Sequence, residues 1–199
     1  MGAHLDTIRF SVLLFPAVAL LLALPVFVIH RRWFGEVREY RAAVFYAFSF
    51  YFITACLLTV LPLPHDTAAF CERLAGYAHT QLMPFGSFAE ILAYASRHNL
   101  GWSLQDLADN KALWQIVFNF ALLAPFGFFL RALYGAGFVA TVGIALAFSL
   151  FLETTQLTGV WGLADCPYRV FDVDDLITNT AGAAIGWMAL RLFYWLPKP

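Results

Sequence analysis

Long stretches without a charged residue divide this chain into segments. Four such runs, 10–29, 42–63, 112–130 and 132–152, are 20, 22, 19 and 21 residues long. Because an α-helix rises about 1.5 Å per residue, about 20 apolar residues cross the roughly 30 Å hydrocarbon core of a bilayer. A fifth run, 176–190, has only 15 residues. It can still cross if Arg191 extends to the head groups and the aromatic rings of Tyr194 and Trp195 anchor the end.

The pattern predicts an all-α fold, a polytopic membrane helix bundle that forms a single domain over 1–199. Its transmembrane helices are predicted at about 10–30, 42–63, 112–131, 132–157 and 175–197. The first is predicted to be a retained helix rather than a cleaved signal peptide. Its apolar run is longer than the roughly 7–15 residues usual for a signal peptide, and Arg31 and Arg32 follow it.

Composition supports a membrane protein and excludes other classes. Hydrophobic residues make up 61% of the chain and charged residues 13%, and the mean hydropathy is +0.72. These values lie outside the range of ordinary soluble domains. The net charge of −1 gives no basic field that would attract nucleic acid.

Lysine and arginine counts near the span ends predict the orientation, because these residues accumulate on the cytoplasmic side. With the N-terminus outside and the C-terminus inside a bacterial plasma membrane, seven basic residues lie inside and five outside. The inner residues are Arg31, Arg32, Arg38, Arg41, Arg131, Arg191 and Lys198, and the outer ones are Arg9, Arg73, Arg97, Lys111 and Arg169. This orientation places the long loop 64–111 outside.

The outer loop is predicted to be helical. Asp66 is placed to cap a short helix from Thr67, and the serines at 87 and 103, each followed three residues later by an acid, match the capping-box pattern. The segment from 87 onward has apolar residues at helical spacing, which fits a helix in the membrane interface or over the mouth of the bundle. The turn before it contains Pro84 and Phe85, and either dips into the membrane as a lid or is an ordinary turn.

The three cysteines lie in two environments. Cys56 falls inside the second span, where it is expected to behave as a small buried apolar residue. Cys71 and Cys166 both fall in outer loops, in an oxidising compartment. We therefore predict a disulfide that ties the long loop to the segment before the last span.

Polar residues inside the third and fourth spans give the next signal. Gln115 and Asn119 are four residues apart and share one helix face, and Glu153 and Gln156 are three apart and do the same. Glu153 lies in the last turn of its helix, where the dipole opposes an acid. Arg169 is its predicted partner.

The last span opens with acids in a more favourable position. Asp172 can cap the helix, and Asp174 and Asp175 lie in its first turn. At about 100° per residue, the side chains of 172, 175 and 179 fall within roughly 60° of arc, whereas Asp174 points elsewhere. Further along, Gly182 and Gly186 form a small-residue face for close packing against another helix. The oligomeric state is left open.

Two interpretations of this polar group remain. In the first, caps, one ion pair and interhelical hydrogen bonds explain every residue structurally. In the second, the residues form an outward-facing pocket, because they offer more polarity than joining three helices requires. The predicted pocket residues are Asn119, Glu153, Gln156, Arg169, Asp172, Asp175 and Asn179, with Pro84 and Phe85 as a lid. Of the scattered histidines, only His79 is close enough to the Pro84 turn to be considered.

Four successive motifs resemble those of the VanZ-like family of membrane proteins. They read LMPF at 82–85, NFALLAPFGF at 119–128, LETTQ at 152–156 and RVFDVDDLITNTAG at 169–182. The family pattern often has a glycine before the arginine, where this chain has Tyr168. The resemblance implies a small bacterial multi-pass membrane protein whose namesake is associated with resistance to the glycopeptide teicoplanin. It also implies that the pocket residues named above are the family-type polar positions.

Three functions fit these observations. The preferred one is the binding or modulation of a cell-envelope component, a membrane lipid or lipid-linked precursor with an anionic head group that Arg169 contacts. An intramembrane enzyme is the alternative, with Glu153 and either Asp172 or Asp175 as acid and base, or all three holding a divalent cation as cofactor. A lipid translocase or accessory subunit is disfavoured, because the polar residues are concentrated at one end of the spans.

Overall fold

The computed structural model describes residues 2–36, 38–61, 63 and 67–192, and almost all of its regular structure is helical. The predicted all-α membrane helix bundle is confirmed. The long helices are α1 (Gly2–Phe34), α2 (Glu39–Val60), α6 (Lys111–Tyr134), α7 (Phe138–Leu157) and α9 (Val173–Leu192). Between α2 and α6 lie α3 (Thr67–Leu74), β1 (Thr80–Gln81), α4 (Gly86–Arg97) and α5 (Leu104–Asp109). Between α7 and α9 lie the short α8 (Gly159–Gly162) and β2 (Phe171–Asp172).

Within these described residues, four helices are long and apolar enough to cross a membrane: α1, α2, α6 and α7. The fifth predicted span, 175–197, corresponds to α9, which is not among the four. Its first turn carries Asp174 and Asp175. The predicted anchors Tyr194 and Trp195, like the rest of that span beyond residue 192, lie outside the described residues.

Close backbone contact between α6 and α9 forms the centre of the bundle. A Cβ atom on Gly182 would lie 2.0 Å from the carbonyl oxygen of Phe120, and one on Gly186 would lie 1.7 Å from that of Ala124. The two contacts advance in the same direction along both helices, so α6 and α9 run parallel. The predicted small-residue face is therefore covered by α6 of the same chain.

Aromatic packing joins α2 and α7 to this pair. The core contains the buried side chains of Leu123, Phe126 and Ala183. Phe148 of α7 stacks on Phe126 with ring centroids 5.3 Å apart and lies 5.1 Å from the ring of Phe52 on α2. These rings fill the space between α6 and the two helices that run antiparallel to it, α2 and α7.

The two ends of the bundle differ in charge. At one end, Arg41 donates to the carbonyl of Leu133 at 2.8 Å, and Arg131 donates to that of Trp187 at 3.2 Å while lying over its ring. Cations near the C-terminus of a helix are stabilised by its dipole. We call this the basic end. The opposite end, where α6 and α9 begin and α7 finishes, is the acidic end, because Glu153, Asp174 and Asp175 lie there.

The segment between α2 and α6 differs in part from the prediction. The Ser103–Asp106 capping box forms at the start of α5. The one predicted at Ser87 does not, because α4 already begins at Gly86 and the amide of Ser87 is bonded elsewhere. Asp66, the predicted cap of α3, lies outside the described residues, although α3 does begin at Thr67.

A disulfide connects the two segments that cover the acidic end. Cys71 of α3 and Cys166 are bonded, with their Cα atoms 5.7 Å apart. Cys56, within α2, is a free thiol and is partly buried. The bond links positions 95 residues apart in sequence, and so restrains the connection before α9 against the segment that follows α2.

Candidate functional site

A short parallel ladder brings the Pro84 turn to the start of α9. Thr80 pairs with Phe171 and Gln81 with Asp172, and the amide of Phe171 donates to the carbonyl of His79 at 2.9 Å. His79 therefore contributes its backbone to this ladder. The pairing places the turn 82–85 directly beside the acids of α9.

Asp174 holds this turn in place. Its Oδ1 accepts the backbone N–H of Phe85 at 2.6 Å, and its Oδ2 accepts that of Ser87 at 2.7 Å. Phe85 has a φ of 66°, a left-handed conformation that a bulky residue rarely adopts without support. Asp174 is 0% exposed. From the first turn of α9, its carboxylate thus accepts hydrogen bonds from two backbone N–H groups at the start of α4.

Asp172 and Glu153 extend the network into α7. Asp172 accepts the amide of Asp174 at 2.8 Å on Oδ1 and the hydroxyl of Ser87 at 2.9 Å on Oδ2. Glu153 is buried and its Oε2 accepts the amide of Asp172 at 3.1 Å. Asp172 is therefore the predicted cap of α9, and both its oxygens are engaged. The carboxylate of Glu153 in turn binds the backbone amide of this capping residue.

Asp175 faces α6 on the other side of the acidic end. The side-chain amides of Gln115 and Asn119 lie at its carboxylate, and the carboxylates of Glu153 and Asp172 are near enough to interact with it electrostatically. Asp175 is partly exposed and Gln115 is exposed. This group is more exposed than the buried carboxylates of Glu153, Asp172 and Asp174.

In the part of the chain that the structure describes, two buried side-chain amide atoms close to these acids have no hydrogen-bond partner. One is Nδ2 of Asn119 and the other is Oδ1 of Asn179. Asn179 is 4% exposed, and its own Nδ2 donates to the hydroxyl of Ser149 at 3.0 Å. A buried polar atom without a partner costs about 1–3 kcal/mol. The nitrogen of Asn119 lies near the Asp175 carboxylate without a well-formed hydrogen bond to it, whereas the oxygen of Asn179 is unsatisfied.

The predicted ion pair between Arg169 and Glu153 does not form. Arg169 is exposed and takes part in no ion pair within the described ranges. It is near enough to act electrostatically on Glu153 and Asp175 without touching either. The backbone amide of Asp172 satisfies Glu153 instead, which leaves the guanidinium available.

Gln156, another predicted pocket residue, ties α7 to α2. Its Nε2 donates to the carbonyl of Thr59 at 2.8 Å, close to the end of α2. The hydroxyl of Tyr168 donates to the neighbouring carbonyl of Val60 at 3.2 Å. Burial raises the pKa of Tyr168, which keeps this donor protonated. Gln156 therefore has a structural role, and so does Tyr168.

The acids do not form a metal site in the part of the chain that the structure covers. No group of three or more His, Cys, Asp and Glu side chains there could hold a metal ion. The predicted set of Glu153, Asp172 and Asp175 is therefore not arranged for coordination. Asp172 already accepts two hydrogen bonds from the protein.

A comparison against protein families agrees with the four ordered motifs of the sequence. The model of the VanZ/LLP1 family matches residues 48–194. The chain belongs to this family. No curated protein and no solved structure matches it significantly. Family membership and the four apolar helices make the chain a multi-pass membrane protein.

The four sequence motifs meet at the acidic end or continue from it. Asp174 is a key residue of this end whose role the sequence did not predict. Helical geometry predicts that Asp174 points away from Asp172 and Asp175 and gives no reason to assign it a partner, yet Asp172 and Asp174 both contact Ser87. Asp174 contacts residues 89 and 87 positions earlier in the chain. The sequence feature that could have indicated this contact is the presence of the 82–85 motif together with the aspartates of α9. The lid residues Pro84 and Phe85 are both exposed.

Proposed function

We propose that this VanZ/LLP1 family member binds the head group of a cell-envelope lipid at its acidic end, and that this end faces outside the cell. The ligand is a membrane lipid or a lipid-linked precursor that carries a phosphate. Arg169 would contact the phosphate, because a guanidinium offers several donors in a planar fork. Sequestration of such a precursor would link the protein to the glycopeptide tolerance that the family resemblance implies.

The observation that carries this proposal is the set of unused polar groups around Asp175. Within the described residues, the guanidinium of Arg169 makes no ion pair and Oδ1 of Asn179 has no hydrogen-bond partner, while the side-chain amide of Asn119 lies at the carboxylate of Asp175. A purely structural network satisfies its own members, as Asp172 and Asp174 do here. The carboxylate of Asp175 would accept a hydrogen bond from a hydroxyl or amine group of the same ligand, and the side-chain amide of Gln115 would donate one to a hydroxyl oxygen.

Charge and sulfur chemistry support the outward orientation. The disulfide between Cys71 and Cys166 covers the acidic end, and disulfides persist in oxidising compartments. The opposite end carries Arg41 and Arg131, together with Arg31 and Arg32 in the last turn of α1. Basic residues favour the cytoplasmic side. The proposed topology therefore has the N-terminus outside, in the plasma membrane.

Native mass spectrometry of the protein purified in mild detergent tests the proposal. The wild type is expected to retain a phosphate-bearing lipid, and Arg169→Ala to retain it about tenfold less, because a charged hydrogen bond contributes about 1.5–3 kcal/mol. Arg73→Ala is the matched control, since Arg73 is exposed on the same end and already donates to the carbonyl of Ala69. Equal retention by all three proteins would refute the assignment.

The same experiment separates binding from the enzyme alternative. If Glu153 and Asp175 act as acid and base, the wild type converts the retained lipid to a product of different mass. Glu153→Gln would then accumulate the unconverted lipid. The binding proposal predicts one identical lipid mass in both proteins.

A further inference from the structure

Helix α4 has two opposite faces of different chemistry. At about 100° per residue, Phe88 and Leu92 fall within roughly 40° of arc on one side of the helix. Glu90 and Arg97 lie about 180° away from that stripe, where they form an ion pair with each other. A helix of this kind separates an apolar surface from a charged one.

The apolar face is exposed and continues into the preceding turn. We define the α4 stripe as Leu82, Met83, Phe85, Phe88 and Leu92, whose exposed fractions range from 41% to 75%. The rings of Phe85 and Phe88 are in contact, with centroids 5.9 Å apart. No charged residue occurs in 82–89. A contiguous exposed apolar surface of this kind marks an interaction site.

The position of α4 is fixed by hydrogen bonds at two points. Asp174 binds the amides of Phe85 and Ser87, and Asn110 donates from Nδ2 to the carbonyl of Ile91 at 3.1 Å. Asp174 is in the first turn of α9, and Asn110 caps α6. The helix therefore lies across the level at which α6 and α9 begin. Since α6 is one of the helices able to cross a membrane, we expect the boundary between hydrocarbon and water near this level.

We propose that the α4 stripe is embedded in the membrane leaflet at the acidic end. The occupant of this surface is acyl chain, because α4 lies at the membrane boundary and presents its ion pair on the side opposite the stripe. Interfacial amphipathic helices bury their apolar face at this depth and leave the charged face in water. The lid turn then enters the leaflet next to Asp175. This inference goes beyond the proposed function, since the stripe contains none of the residues assigned to the head group.

Spin labels on single cysteines in the full chain test this proposal. Cys56→Ser removes the free thiol and leaves the Cys71–Cys166 disulfide in place. Labels are then attached at Met83→Cys, Phe88→Cys or Leu92→Cys, and the protein is reconstituted into phosphatidylethanolamine and phosphatidylglycerol vesicles. Collision rates with oxygen and with a water-soluble nickel chelate report the surroundings of each label. The matched control is Glu90→Cys on the opposite face of the same helix.

The proposal predicts that each of the three stripe labels collides severalfold more often with oxygen than with the nickel chelate. The control label at position 90 should show the opposite preference. Preferential relaxation of the stripe labels by nickel would place the stripe in water and overturn it. Low collision rates with both reagents, with spin–spin broadening that disappears on dilution with unlabelled protein, would assign the stripe to a second copy and also overturn it. Because none of the labelled positions is a residue assigned to the head group, loss of head-group binding in Arg169→Ala leaves this result unchanged.

Discussion

Asp174 shows how a charged residue can be buried at the edge of a membrane protein without an opposite charge. Its two oxygens each accept one backbone N–H from the turn before α4. Hydrogen bonds to an ionised group are stronger than neutral ones. They also support the left-handed conformation of Phe85. The carboxylate therefore links the lid turn to α9.

Asp174→Ala is expected to lower the free energy of unfolding by about 2–4 kcal/mol, because two N–H donors lose their acceptor. Chemical unfolding of the purified protein, followed by circular dichroism, measures the change. Asp109→Ala is the control: Asp109 is exposed at the end of α5, and its loss should change stability by less than about 0.5 kcal/mol. Similar effects of the two substitutions would show that the bonds to the turn are unimportant.

At the scale of elements, the α6–α9 pair depends on glycine. Gly186→Ala would place a methyl group 1.7 Å from the carbonyl oxygen of Ala124, so the helices must separate. We expect a loss of about 1–3 kcal/mol or more. Gly143→Ala on α7 meets nothing within 4 Å, and should be neutral or stabilise the helix by up to about 1 kcal/mol. Thermal unfolding midpoints that fall equally for both would contradict the packing described here.

The disulfide joins two further elements over the acidic end. Closing a chain of 95 residues stabilises the folded state by about 4–5 kcal/mol in the chain-entropy model. The double substitution Cys71→Ser with Cys166→Ser should therefore unfold at lower denaturant concentration than Cys56→Ser. Free-thiol labelling of the unreduced wild type at 71 and 166 would show instead that the bond is absent.

At the scale of the whole molecule, the orientation of the two ends is testable on intact cells. In a Cys56→Ser background, Leu163→Cys reports the acidic end and Tyr134→Cys the basic end, since both side chains are exposed. A membrane-impermeant maleimide should label 163 on intact cells and 134 only after permeabilisation. The reverse pattern would place the acidic end in the cytoplasm.

Much of this architecture is predictable from the sequence because membranes impose simple constraints. Uncharged runs predict the first four spans, and glycine spacing predicts a close helix contact, although not that α6 is the partner. The ion pair of Arg169 with Glu153 was a wrong prediction, because a backbone amide can satisfy a carboxylate as well as an arginine can. Asp174 was missed for the same reason: its partners are backbone groups, which leave no trace in side-chain chemistry.

The central claim is that a lipid head group occupies the acidic end beside Asp175. Photo-crosslinking from α6 tests it most directly, with the photoreactive residue at Gln115 and, as a control on the same helix, at the exposed Phe118. Irradiated in native membranes, position 115 is predicted to give one discrete phosphate-bearing adduct that Arg169→Ala abolishes, whereas 118 gives the bulk lipid mixture. The same mixture at both positions, unaffected by Arg169→Ala, would contradict the claim.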